Sequence, residues 1–258
     1  MNDPHPQQRL IEGRGTPDAA WQAWGGLDYL PPISAAGLVP HGCRAIVIAP
    51  HPDDEVLACG GLLQQLHAQG TRTVLLAVTD GDASHPGSAL LAPADLARLR
   101  PQETASALQA LGLDGSNAPQ LLRARIGDGK VSAGMEQLHS MLMQLLRPGD
   151  VVFVTWRQDG HPDHEACGLA AALAARACRA TLVEMPVWSW HWAAPGDRRL
   201  PWQRAHRLTL TPAELQRKRA AVGCYRTQLQ DDPSTGQQAI LAPHVLDRLL
   251  HPYEIYFT

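Results

Sequence analysis

Residues 44–70 read RAIVIAPHPDDEVLACGGLLQQLHAQG, and the way this stretch divides decides the fold. Arg44 to Ala49 is a short run rich in β-branched residues, with the length of a buried parallel strand rather than of a helix. Pro50 ends it. From Glu55 to Ala68 the apolar residues Val56, Leu57, Leu62, Leu63 and Leu66 recur at a helical period, and Gly70 closes the helix. His51-Pro52-Asp53-Asp54 therefore falls on a strand-to-helix turn, at the carboxyl end of a strand. The arrangement returns later in the chain. Pro148-Gly149-Asp150 leads into a strand at Val151 to Thr155, His161-Pro162-Asp163-His164 follows it, and Glu165 to Cys178 reads as a helix. In open α/β sheets ligands bind beyond the carboxyl ends of the strands, so two motifs with one placement are expected to converge on one site.

The remaining elements alternate in the same way. Strands are predicted at Thr73–Thr79, Thr181–Val187, His206–Leu210 and Tyr253–Phe257, and helices at Pro93–Leu111, Met135–Leu146 and Pro212–Cys224, the last with Thr211 as its N-cap. This pattern predicts an α/β fold, a Rossmann-like, doubly wound and mainly parallel sheet, in a single domain over residues 43–258. Residues 1–42 read as an extension packed on that domain. One short helix is expected there, capped by Thr16, with Pro17 at its first position and Trp21 and Trp24 on it. A nucleotide-binding Rossmann fingerprint, a P-loop and a G-x-S-x-G elbow are all missing, which removes the corresponding enzyme classes.

Composition narrows the partners. The chain has 258 residues and a formal net charge of −3, and without a basic block it presents no electrostatic case for nucleic acid or an acidic membrane. No apolar run has the length of a signal peptide core or a membrane span, so the expected location is cytoplasmic, with no membrane insertion. The five cysteines, at 43, 59, 167, 178 and 224, are odd in number and lack a CxxC pair. They read as reduced, mostly buried thiols. Homo-oligomerisation is left open.

The chemistry rests on the two motifs. A catalytic zinc ion usually takes three protein ligands from His and carboxylate and keeps a fourth position for water. His51, Asp54 and His164 fit that count: residues three apart on a tight turn can face one point, and His164 arrives from the second loop. Asp53 then lies beside the metal, placed to take a proton from a metal-activated water as general base. His161 is the remaining imidazole, suited to stabilising an oxyanion or protonating a leaving amine, and Asp163 is spaced to orient it. The plainer alternative, in which each residue merely caps a helix or satisfies a turn, explains one such motif more readily than two.

These residues resemble the PIG-L/LmbE-like deacetylases, whose signature is an AHPDDE-like motif after the first strand and an HPDH motif after a later one. Here they read Ala49-Pro50-His51-Pro52-Asp53-Asp54-Glu55, with one extra proline, and His161-Pro162-Asp163-His164. Arg100-Pro101-Gln102-Glu103 is similar to the family's R-x-x-E helix, Asp128-Gly129 to its later Asp-Gly turn, and Lys218 through Tyr225 to Gln228 to its C-terminal segment. The likeness spans roughly residues 43 to 257. It implies zinc-dependent hydrolysis of an N-acetyl group on an amino sugar or glucosamine-containing conjugate, with Zn2+ or another divalent transition metal as cofactor and a small N-acetylated sugar or glycoconjugate as partner. The family pattern carries onto His51, Asp54 and His164 as ligands, Asp53 as base and His161 in the oxyanion or acid role. One departure is that Asp159 stands where some members place a tyrosine. A larger N-acyl conjugate as substrate, and a catalytically silent metal- or sugar-binding protein, are the competing readings.

Specificity is carried by fewer residues. Arg100 either holds the substrate or pairs with Glu103 on its own helix. Trp188, Trp190 and Trp192 would share one face of an extended segment, where they would stack on a sugar or an apolar aglycone; buried, they would be core beneath the extension. Asp82, like His85, lies in the loop after the second strand and either meets sugar hydroxyls or is solvated.

Overall fold

The quoted strand is buried on both faces because its alternate residues enter two separate cores. Ala45, Val47 and Ala49 pack with Leu57, Leu62 and Leu63, whereas Ile46 and Ile48 pack with Leu138, Leu142, Ala170 and Ala174. A strand covered on both sides reads as a continuous apolar run. The computed structural model describes residues 9–258; residues 1–8, the start of the extension, lie outside the described residues.

The sheet has eight strands: β1 (Pro32–Ile33), β2 (Ala45–Ala49), β3 (Thr73–Ala77), β4 (Gln120–Arg123), β5 (Val151–Thr155), β6 (Thr181–Met185), β7 (Ala205–Thr209) and β8 (Tyr253–Phe257). Their order is β1-β7-β8-β6-β5-β2-β3-β4. Every neighbouring pair is parallel except those of β8, which runs antiparallel to β6 and β7. The two motif-bearing strands, β2 and β5, are direct neighbours, with Ile48 opposite Val154. The chain proceeds from β2 to β3 on one side and from β5 to β6 on the other, so this pair is the topological switch point.

In the extension lie α1 (Asp18–Ala23) and α2 (Ala35–Leu38). One face of the sheet carries α3 (Asp54–Ala68) and α4 (Pro93–Ala110), the other α5 (Met135–Leu145) and α6 (Pro162–Cys178). The single turns α7 (Ser189–Trp192), α9 (Arg226–Leu229) and α10 (Pro243–Leu246) are separate from α8 (Pro212–Val222), which packs on α3 and α4. No helix among the described residues is long and apolar enough to cross a membrane.

The mainly parallel doubly wound sheet is as expected, and the differences are local. Helices α3 and α6 begin at Asp54 and Pro162, earlier than the periodic apolar residues indicate, so the motif residues themselves form the first turns. Proline is well suited to a first helical position. Strand β4 was hidden because its residues are half-exposed and carry no clean alternation. Thr16 does not cap α1: Pro17 takes the cap position, and Thr16 Oγ1 donates to the Ala193 carbonyl at 2.6 Å. Thr211 does cap α8, in a reciprocal capping box with Glu214. Residues 186–192 are not extended but turn into α7, which separates the side chains of the three tryptophans. The extension contributes β1 to the sheet edge beside β7.

Helix α3 is interrupted at Cys59, whose φ of −143° and ψ of 25° are not helical. Glu254 takes up the freed donors: its carboxylate accepts from Gly61 N at 2.7 Å and Leu62 N at 2.9 Å, and also from Lys218 Nζ and Tyr256 Oη, both at 2.7 Å. Lys218 is fully buried. Removing one partner of a buried ion pair strands the other charge, so Glu254→Ala is expected to lower unfolding stability by about 3–5 kcal/mol, read from urea denaturation.

Candidate active site

The switch point sets two strand-to-helix turns side by side. In the first, the Asp54 carboxylate folds back on its own turn, and its Oδ2 accepts from His51 N at 3.0 Å. The same oxygen lies 3.2 Å from His51 Nδ1 and 3.2 Å from His164 Nε2, which arrives from the first turn of α6. His164 Nε2 sits off the line of a hydrogen bond to Asp54, so this fully buried nitrogen has no hydrogen-bond partner. Its other nitrogen, Nδ1, is engaged by Asp159 Oδ2 at 2.9 Å. His51 is built alike, with Nε2 3.3 Å from Asp128 Oδ1 and 3.3 Å from Asp163 Oδ2. Each imidazole thus offers one nitrogen to Asp54 while a carboxylate fixes the other, the arrangement that orients histidine ligands of metals.

This donor set fits a divalent transition metal. Bonds of 2.0–2.2 Å in a tetrahedral site place donor atoms about 3.4 Å apart, close to the spacings around Asp54 Oδ2. Side-chain donors of His51, His161 and His164, and likewise of His51, Asp128 and Asp163, also gather within 4.8 Å of one another. His51, Asp54 and His164 could also hold an ion together, an arrangement that would use the orphaned nitrogen and leave Asp128 and Asp163 on the far side of His51. Electrostatics agree. Burial disfavours charge on all three groups, but Asp54 and Asp159 outweigh it to bring His164 up to about 9, while Asp128, Asp163 and Asp54 raise His51. The two imidazoles in turn hold Asp54 well below the usual carboxylate range.

Asp53 sits beside this cluster with a φ of 139°, a conformation that costs a non-glycine residue energy and is found where surrounding contacts enforce it. Those contacts are specific. Arg100 Nη2 donates to Pro52 O at 2.7 Å and to Asp53 Oδ2 at 3.0 Å, and Glu55 Oε2 accepts from Asp53 N at 3.0 Å. Tyr225 Oη holds Glu55 from behind at 2.7 Å. Arg100 Nη1 donates to Gly81 O, and Gly81 must lack a side chain because a Cβ would meet this guanidinium at 2.1 Å. Burial pushes the Asp53 carboxyl up to about 8, with Arg100 pulling the other way. Arg100 does not pair with Glu103, which instead accepts from Thr227 N and Oγ1.

His161 caps α6: its Nδ1 accepts from Asp163 N at 3.2 Å, which leaves the proton of the neutral ring on Nε2. Burial and the neighbouring His164 and His51 lower its pKa to about 3. The expectation that the Asp163 carboxylate orients His161 is corrected. That carboxylate accepts from Gly129 N at 2.7 Å and Val131 N at 3.1 Å and faces His51, because as a residue of the first helical turn it points back toward the loop of Asp128.

These residues open into a cavity of about 390 Å³, lined by His51, Asp53, Asp54, Arg100, Asp128 and His161, and further out by Ser84, Trp188, His191, Gln228, Leu241 and Arg248. Of the residues expected to meet substrate, Arg100 and Trp188 reach this cavity. Trp190 does not. Its ring packs edge-on against Trp21 at 5.0 Å and its Nε1 donates to Pro186 O, so it is core beneath the extension. Asp82 also stands outside, accepting from Asp128 N at 3.3 Å and bracing that turn. Sequence reasoning missed Asp159, noted only as a departure from a tyrosine, and gave no site role to Gln228 and Arg248. Asp159 is fully buried and accepts from five donors: His164 Nδ1, Val187 N, Trp188 N, Ser189 N and Ser189 Oγ. Its place two residues before the second motif was the available signal.

Two outcomes are expected. Asp159→Asn, which cannot offer the same acceptor to His164, weakens zinc affinity by about 10–100-fold in a chelator competition. In metal-free protein His161 stays neutral and protonated on Nε2 as the pH falls through the ordinary imidazole value of about 6.5, as read by long-range nitrogen–proton NMR. Because its folded value lies below the unfolded one, its contribution to stability is present above about pH 6.5 and is lost as the pH falls toward 3.

A family model described as GlcNAc-PI de-N-acetylase, PIG-L, matches residues 46–175. No curated protein matches the chain. Among solved structures, a conserved protein from Thermus thermophilus is 27% identical, with 73% of this chain and 80% of that chain covered and a TM-score of 0.52. N,N'-diacetylchitobiose deacetylase from Pyrococcus horikoshii is 19% identical over 73% of this chain and 72% of that one, with a TM-score of 0.54. The zinc-inhibited form of teicoplanin deacetylase is 20% identical over 72% and 85%, with a TM-score of 0.58. At those identities the latter two share the Rossmann-like fold. The matched region begins in β2, ends in α6 and includes both His-Pro-Asp motifs, and the chain belongs to the PIG-L family.

Proposed function

We propose that the protein is a divalent-metal-dependent N-deacetylase that removes the acetyl group from an amino sugar or a glucosamine-containing conjugate. The observation that carries this reading is the orphaned, fully buried Nε2 of His164 beside Asp54, with Asp53 next to it on a strained backbone. His51, Asp54 and His164 would hold the ion. When bound, it would supply Lewis acidity, polarising the amide carbonyl and lowering the pKa of water.

The remaining work falls to the chain's own groups. Asp53 takes the proton of the attacking water as its oxygen bonds to the amide carbon, and passes that proton to the nitrogen as the carbon–nitrogen bond breaks. Acetate and the free amine leave. A base is most effective with a pKa near the working pH, and burial moves Asp53 in that direction while Arg100 keeps it aimed. His161, neutral and carrying its proton on Nε2, serves as a hydrogen-bond donor to the developing oxyanion rather than as a charged acid. Asp163 and Asp159 keep His51 and His164 in place. Deacetylases of diacetylchitobiose and of teicoplanin among the similar structures support the choice of an N-acetylated sugar substrate.

Zinc-loaded protein is expected to release acetate from N-acetylglucosamine conjugates and to lose that activity on chelation. Asp53→Asn is expected to lower kcat by about 10²–10⁴-fold while metal stoichiometry is retained. Full activity in that variant would remove Asp53 as the base, and a metal-loaded enzyme inert toward a panel of acetylated sugars and glycosides would remove the proposed reaction.

A further inference from the structure

Asp53 keeps its place through a chain of hydrogen bonds that ends far from the two motifs in sequence. Its φ of 139° is strained for a residue with a side chain, so its surroundings must hold it there. One support is direct: Arg100 Nη2 donates to Asp53 Oδ2 and to Pro52 O. The other acts through the backbone. Asp53 N donates to Glu55 Oε2 at 3.0 Å, and the second oxygen of that carboxylate accepts from Tyr225 Oη at 2.7 Å. Glu55 and Tyr225 are both buried.

The donors that meet the Glu55 carboxylate are neutral, and the tyrosine hydroxyl is the one that comes from outside the turn. Hydrogen bonds to an ionised acceptor are roughly twice as strong as neutral ones, and a buried carboxylate that loses a donor must turn toward another. Asp53 N is the group at its other end. Tyr225 is itself anchored. It immediately precedes α9, which is pinned to α4 because Glu103 accepts from Thr227 N at 2.9 Å and from Thr227 Oγ1 at 2.7 Å. Helix α4 also carries Arg100, so both supports of Asp53 issue from one unit of α4 and α9. A phenylalanine at 225 would fill the same space and donate nothing, which separates the hydroxyl from the ring.

We infer that Tyr225 and Glu55 are positioning residues for Asp53: Tyr225 Oη fixes the Glu55 carboxylate, that carboxylate holds Asp53 N, and the hold keeps the strained backbone turned so that the Asp53 side chain stays beside His51, Asp54 and His164. Neither Glu55 nor Tyr225 lines the cavity, so they act through Asp53 and not on a ligand. The kinetic consequence rests on the reading of Asp53 as general base; the structural one does not. Displacing a reacting group by about 1 Å can cost a factor of about 100 in rate, which gives the hydroxyl of a distant tyrosine a measurable share in turnover.

Two measurements test this, the first without turnover. In nitrogen–proton spectra of the full chain, with and without zinc, the Asp53 amide proton is expected downfield, as befits a donor to a carboxylate, and is expected to move upfield in Tyr225→Phe. A resonance unmoved by that substitution overturns the proposal. The second is a double-mutant cycle on acetate release by zinc-loaded protein. Tyr225→Phe is expected to lower kcat about tenfold or more with KM nearly unchanged, and to cost little further in an Asp53→Asn background, where the carboxylate it positions is gone. The same fold-loss in both backgrounds marks a merely structural tyrosine and overturns the proposal, as does full kcat in Tyr225→Phe. Should the phenylalanine variant lose its native near-ultraviolet circular dichroism, Glu55→Gln, which keeps an acceptor oxygen without the charge, decides by the same two readouts. If the unsubstituted protein releases no acetate, the deacetylase reading falls while the amide resonance still decides the positioning; acetate release with an unmoved resonance does the reverse.

Discussion

The contact on which the rest of the site depends is that of Asp54 Oδ2 with two imidazoles, 3.2 Å from each. Around it Asp128, Asp159 and Asp163 add negative charge in a buried space. Such a density of carboxylates is tolerable only where positive charge answers it. In the bare protein the answer is protons: both His51 and His164 are pushed above their ordinary values by the carboxylates around them. A divalent cation held there, as proposed, would satisfy the same demand in place of those protons, and its affinity would then depend on pH.

The sheet makes that contact possible. His51 and His164 are far apart in sequence, yet they follow neighbouring parallel strands whose residues are in register from Ala45 opposite Val151 to Ile48 opposite Val154. Asp159 then ties the second turn to a third. Its carboxylate takes the backbone donors of Val187, Trp188 and Ser189 as well as His164, so the orientation of a proposed metal ligand and the placement of the cavity wall share one anchor.

Much of this was legible in the sequence, for reasons that also explain the gaps. The β2 run declared itself because burial on both faces leaves no polar residue in it, and the two motifs declared their placement because a strand preceded each and a helix followed. The roles of Asp159 and Asp163 were not legible. Both act on partners defined by the approach of another loop, and local spacing assigned Asp163 to His161 when the tertiary fold gives it to His51. The tryptophans at 188, 190 and 192 misled because alternation implies a common face only in extended backbone, whereas Asp159 draws the segment into a helical turn. Arg248 carried no motif at all, and the carbonyls that accept from its guanidinium, those of Arg14 and Thr16, come from the opposite end of the chain.

Those partners have an evolutionary consequence. Glu12, Arg14 and Thr16 hold His191 and Arg248 through main-chain carbonyls, which every amino acid possesses. Gly15 between them has a φ of +62°, and a Cβ there would meet the His191 ring at 2.6 Å. The side chains at 12 and 14 are therefore free to drift without disturbing this wall of the cavity, while the glycine and the number of residues between the carbonyls are not. A segment that looks ordinary residue by residue is constrained in its spacing, and in this chain it is insertion or deletion, more than substitution, that would rebuild the pocket.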